Sequence, residues 1–241
     1  MKLSAVTARL SLSFVMFGSL PVLAAGGHGA VIQLRVSVFN SSPISSSAIE
    51  RAEGEAGRVL RDVGIEAIWL NCPQEISQEA SRGRCSEASF PSHLHLRILR
   101  ASRGLEVSTV GISFSAEDGR GCYADLFYEP IHQLEEETRV SKSVILGHAM
   151  AHELGHLLLG TNSHSPSGLM RAHWTREDLT NASVGNLRFS KKQCLKIMSR
   201  LTTSEYGRDF NPSDGAELEE PKRRCPWRIT ELGQITGFFG L

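Results

Sequence analysis

Val144-Ile-Leu-Gly-His-Ala-Met-Ala-His152-Glu153-Leu-Gly-His156-Leu-Leu-Leu-Gly160 is the stretch from which the rest of this chain can be read. It carries His-Glu-x-x-His in a helical setting. Residues four apart on a helix share a face, one turn above the other. His152 and His156 can therefore direct two imidazoles at a single metal ion. Zinc is the usual guest, held by imidazole nitrogen at about 2.0–2.1 Å. Glu153, beside the first imidazole, is placed to take a proton from a zinc-bound water. Two ligands do not hold a catalytic zinc, so a third must come from elsewhere.

The helix cannot run far past Gly160. Gly160, Asn162, Ser163, Ser165, Pro166, Ser167 and Gly168 are turn formers. Gly160 suits the left-handed residue that reverses a chain after a helix end. His164 follows, placed to swing back as the third ligand, and Met170 comes six positions later. With these residues, positions 144–171 resemble the metzincin zinc endopeptidases, whose pattern is His-Glu-x-x-His-x-x-Gly-x-x-His followed by a turn carrying Met. His156 to Met170 spans fourteen positions, the spacing of the matrixin branch, and Pro166 and Leu169-Met170 fall where that branch has them. Two positions depart from it: a gapless match puts Asn162 in place of the third His, and the Gly is displaced to Gly160 from Leu159. A longer turn that delivers His164 accounts for both. Glu177, twenty-one residues past His156, is the competing ligand, since thermolysin-like zinc peptidases take a Glu at about that distance.

The resemblance implies a zincin-like α+β fold. Its features are a mixed twisted sheet with a βαβ start, an active-site helix and a mostly helical C-terminal part. It also implies one catalytic Zn2+ held by His152, His156 and His164, with Glu153 as general base and Met170 as an apolar floor beneath the ion. A strand of the 107–128 region would bind extended substrate by backbone pairing at a sheet edge. Many metzincins add a Tyr soon after the Met; here that place reads Arg171-Ala172-His173.

The 241 residues suit one domain with appendages. Hydrophobic residues make up 41% and charged residues 22%, an ordinary globular balance. Twenty-six basic and 26 acidic residues cancel, which argues against a nucleic-acid partner that relies on a basic face. Residues 1–24 read as a secretory signal: Lys2 and Arg9, an apolar run from Leu10 to Leu23, then Ala24. That run is too short and too broken by Ser11, Ser13, Gly18, Ser19 and Pro21 to anchor in a bilayer, and no other run would span one. The expected product is a secreted or periplasmic monomer with a metalloprotease domain over 25–205 and a tail over 206–241. The first strand starts so soon after the presumed cleavage point that no inhibitory prodomain is expected.

Ala30 to Asn40 alternates as a half-buried strand. Ser47-Ala-Ile-Glu50 reads as a capping box opening a helix that stops at Gly64, and Ile65 to Leu70 reads as a second strand. Strand, helix and strand suggest a right-handed βαβ crossover with a parallel pair. His93 to Leu99 alternates again, with Leu94, Leu96 and Ile98 inward and His93 and His95 sharing the other face, as candidate ligands or, more simply, as a polar outer face. Val107 to Ser115 and Cys122 to Tyr128 read as two more strands, and Glu135 to Glu137 as a solvated helix face. Thr175 and Ser190 are candidate caps of two later helices. Ile235 to Leu241 is a small apolar tail that docks or frays.

Disulfides persist outside the cytoplasm. Cys72 and Cys85 bracket a polar loop, and bridging them stabilises by about 3 kcal/mol in the chain-entropy model. Cys194 with Cys225 is a second pairing. That leaves Cys122 free, as a buried small apolar side chain or as a thiolate that blocks the zinc. His148, one turn before His152, is expected outside the ligand set, and His173 is a candidate substrate contact. Two functions follow. One is a secreted zinc endopeptidase acting on protein or peptide substrates. The other is a non-catalytic exported zinc-binding or envelope protein on the same scaffold, against which Glu153 argues, because a structural site needs no base.

Overall fold

Strand β1 (Ile32–Asn40), helix α1 (Ser46–Arg61) and strand β2 (Ile65–Cys72) form the expected unit, with β1 and β2 parallel. They belong to a computed structural model that describes residues 31–73, 85, 88–102, 104–206 and 234–240. The segment read as a signal lies outside the described residues. Serine caps α1 as anticipated, but the cap is Ser45 and not Ser47. Ser45 has extended backbone and its side chain accepts from the Ala48 N–H, which leaves Ser47 inside the first turn. The chain leaves this region through Gly64 at φ +91°.

Strands β3 (His93–Leu99), β4 (Thr109–Ser115), β5 (Tyr123–Phe127) and β6 (Gln234–Gly240) complete a sheet of order β2-β1-β3-β5-β4-β6. β1 pairs in parallel with β3, and β3 with β5. β4 runs antiparallel to β5, and β6 antiparallel to β4. The sheet is thus mixed and the fold α+β. The C-terminal apolar segment does not fray but becomes the edge strand. Tyr128 opens helix α2 (Tyr128–Thr138) instead of ending β5.

Helix α3 (Lys142–Leu159) is buried from Ile145 to Leu159. A helix apolar around its whole circumference belongs inside a domain, and α3 packs against α1, α2, β4 and β5. Helices α4 (Arg176–Ser183) and α5 (Lys191–Tyr206) close its remaining sides. Thr175 caps α4 in a capping box with Asp178. No helix among the described residues is long and apolar enough to cross a membrane.

Two further expectations are corrected. His93 and His95 do not lie on a solvated face: they are 3% and 9% exposed. The His93 Nε2 lies 2.8 Å from the Ser37 Oγ, and Phe39 and Tyr123 pack against His95. β3 is a central strand, so both of its faces are covered. Cys72 and Cys85 are bridged as expected, but Cys122 is disulfide-bonded and, among the described residues, Cys194 is the free thiol. That reverses the roles assigned to Cys122 and Cys194, because spacing alone does not fix connectivity. Cys225 lies outside the described residues.

Candidate metal centre

α3 carries two imidazoles because its start and stop are well defined. The Ser141 Oγ accepts from the Val144 N–H at the start. At the end Gly160 takes φ +80° and its N–H donates to the His156 carbonyl, a positive φ that glycine adopts without a Cβ penalty. The Arg200 guanidinium, from α5, donates to the Leu159 and Gly119 carbonyls at 3.3 and 2.9 Å. A cation there satisfies an orphan carbonyl and complements the helix dipole. The chain then reverses through Asn162 at φ +55° and brings His164 back beneath α3.

His152, His156 and His164 meet: one ring nitrogen from each lies within 4.8 Å of the other two. The Nε2 atoms of His152 and His156 are 3.0 Å apart. Each of these rings is held by its other nitrogen. The His152 Nδ1–H donates to the Leu169 carbonyl at 2.7 Å, and the His156 Nδ1 lies 2.6 Å from the Ser163 Oγ. This pattern fixes the tautomer and frees Nε2 for a ligand. With Nδ1–H donating to Leu169, the His152 Nε2 is an acceptor that faces the His156 Nε2 inside the protein. Three convergent nitrogens, two of them on rings whose Nδ1 contacts are already made, fit a tetrahedral zinc with one position left open. Glu177, by contrast, is exposed on the first turn of α4 and is not in this group.

Electrostatics agree with a neutral ligand set. Burial lowers the His152 pKa to about 3, partly offset by the bond to Leu169 and reinforced by His164. Burial, then His152 and His164, holds His156 well below its ordinary value. His164 is shifted down by burial and by the nearby His173. All three rings are therefore uncharged at neutral pH, the form that ligates metal.

Glu153 is fully buried, and neither carboxylate oxygen makes a hydrogen bond of good geometry. Burial drives its pKa well above the usual carboxylate range; Ser113 eases the shift and Asp125 adds to it. Its neighbour is the backbone of β4. A Cβ at Gly111 would stand 2.7 Å from the Glu153 Oε1 and 2.9 Å from its Cγ, so only glycine lets this strand approach the carboxyl. A buried carboxyl without a partner is costly and marks a place where polar matter belongs.

Met170 is fully buried, and its sulfur occupies the space beside Gly155, where a Cβ would meet it at 2.6 Å. Gly155 lies between Glu153 and His156, so Met170 sits under this turn of α3. His148 stays out of the cluster: its Nδ1 contacts the Val144 carbonyl at 2.8 Å, and its Nε2 lies 3.5 Å from an Arg58 nitrogen. His173 is exposed. Sequence reading missed the Leu169 carbonyl, Ser163, Gly111 and Ser113. It also missed Trp174, whose indole N–H donates to the same Leu169 carbonyl at 3.0 Å and whose ring lies edge-on to His152. No local pattern announces these residues, since each acts through a contact made only after folding.

No protein-family model matches this chain, and no curated protein matches it in sequence. Among solved structures it is similar to a zinc-dependent peptidase from Methanocorpusculum labreanum. That match has 12% identity and a TM-score of 0.44, and covers 67% of this chain and 99% of the other. Metalloproteinase-II from Bacteroides fragilis matches at 13% identity and TM-score 0.46, over 71% of this chain and 54% of that protein. Archaemetzincin from Methanopyrus kandleri matches at 16% identity and TM-score 0.44, over 73% and 99%. At such identities and TM-scores the likeness assigns neither family nor activity to this chain.

Proposed function

We propose that this chain is an exported zinc-dependent endopeptidase with one catalytic zinc. The observation that carries the reading is the meeting of three imidazoles, His152, His156 and His164, beside a buried carboxyl whose oxygens make no hydrogen bond of good geometry. Bound there, zinc would supply Lewis acidity, lowering the pKa of water and polarising a peptide carbonyl. Glu153 takes the proton of the attacking water and delivers it to the leaving amine. Leu169 and Ser163 keep the first two rings in register through their Nδ1 atoms. Met170 supports the turn of α3 that bears the site.

The full burial of Glu153 favours a second reading, a zinc-binding protein without turnover. Zinc content and cleavage of unfolded proteins, with and without chelator, separate the two. The peptidase reading expects one zinc per chain and chelator-sensitive cleavage, with Glu153→Gln keeping the metal and losing turnover. One zinc per chain with no cleavage of any substrate, even when β6 is displaced, supports the second reading.

A further inference from the structure

We propose that the C-terminal strand β6 is an intramolecular latch that lies in the position of an extended substrate. This inference rests on the peptidase reading for its catalytic consequence, and on the sheet alone for its occupancy. β4 is the strand whose Gly111 touches Glu153. On one side β4 pairs with β5, and on the other with β6. The pairing sets Phe239 opposite Gly111, Phe238 opposite Ile112 and Gly237 opposite Ser113. Strands in a sheet lie about 4.8 Å apart. The backbone of 237–239 is therefore one strand spacing from the two β4 residues that face the carboxyl, and β6 also lies against α3.

β6 occupies the free hydrogen-bonding edge next to the metal centre. An extended peptide can pair with β4 on this side only in the place of β6; the outer edge left over belongs to β6 and lies one strand farther from Glu153. A polypeptide that reaches Glu153 along β4 must take the place that 237–239 now hold. The pairing is broken by register shifts between Thr109 and Gly111 and between Ser113 and Phe114. Irregularities of this kind shorten the hydrogen-bonded run and ease its release. The strand belongs to the same chain, so its local concentration is on the order of millimolar and weak pairing is enough to fill the edge. Gln234-Ile-Thr-Gly-Phe-Phe-Gly240 carries no charge. The class of substrate that displaces it is thus an extended, uncharged segment with aromatic residues following a glycine. The expectation of no inhibitory prodomain concerned only the N-terminal side; the latch is at the other end.

The experiment uses the full chain and a fluorescent peptide of sequence 234–241, followed by anisotropy in metal-free and zinc-loaded protein. Gly237→Pro/Phe238→Pro is the opening variant. Adjacent strand residues present their N–H groups to opposite sides, so one of the two prolines removes a bond to β4. Wild type is expected to bind at least tenfold more weakly than the variant, whose edge is free, and the zinc-loaded variant to cleave at least tenfold faster. Equal binding by the two, or no binding by a folded variant, overturns the latch. Deletion of 234–241 guards against misfolding: if neither altered chain folds, β6 is a structural strand and the proposal falls. Peptide binding by an opened, zinc-loaded chain that cleaves nothing keeps the latch and removes the peptidase reading.

Discussion

Replacing Glu153 by Met should make the metal-free protein more stable while abolishing turnover. Met is unbranched, similar in length and free of charge, so it fills the same space against Gly111 and Ser113 without a polar group. Glu153 is 0% exposed and neither of its oxygens makes a hydrogen bond of good geometry. A buried polar group left unsatisfied costs about 1–3 kcal/mol, and Met removes that cost at nearly constant volume. The expected gain is about 2 kcal/mol, or about 4–8 °C in Tm for a domain of this size. The gain should also depend on pH. Unfolded, Glu153 ionises near 4.5; folded, burial holds it protonated well above that. The native state thus binds more protons above pH 4.5. Wild type loses stability there as pH rises, by up to about 1.4 kcal/mol per unit, and the variant does not. Urea titrations of metal-free wild type and Glu153→Met at pH 5 and pH 7, with zinc content and cleavage on the reloaded proteins, measure both effects. A variant less stable than wild type at both pH values would refute the reasoning, because it would mean that the carboxyl is satisfied inside the protein.

The imidazoles act with the opposite sign. His152 falls from 6.5 to about 3 and His156 is also strongly depressed, so their contribution to the stability of the metal-free fold is fully present above about pH 6.5. That contribution is lost as pH falls toward 3, by about 1.4 kcal/mol per unit for each such His. A flat profile in metal-free Glu153→Met, where the carboxyl no longer contributes, would contradict this. Ser163→Ala should weaken zinc by about 10–100-fold, the usual cost of losing a partner that orients a ligand, as read by competition with a chromogenic chelator; an unchanged affinity would remove Ser163 from that role. His164→Ala should cost at least as much, and Glu177→Ala nothing. The reverse result hands the third ligand to Glu177. Peptide mapping without reductant should find Cys194 alkylated and Cys72–Cys85 and Cys122 protected; alkylation at Cys122 would contradict the disulfide there.

The sequence by itself determined what depends on near neighbours along the chain. The period of α3 put His152 and His156 on one face, and Gly160 ended that helix because few other residues take its backbone angles at low cost. Alternation marked β1 and β3, and a Thr175 cap marked α4. Local signals also erred locally: two serines, Ser45 and Ser47, competed for one cap, and only the backbone angle at Ser45 chose between them. Tertiary structure alone decided everything that joins distant segments. It buried His93 and His95 by placing β3 at the centre of the sheet, bonded Cys122 and left Cys194 free. It turned Leu169 and Ser163 toward the two rings, closed Gly111 over Glu153 and laid 234–240 along β4. The physical reason is that helical period, caps and turns are short-range steric and hydrogen-bonding effects. Burial and pairing are set instead by which surfaces the whole chain can cover at once.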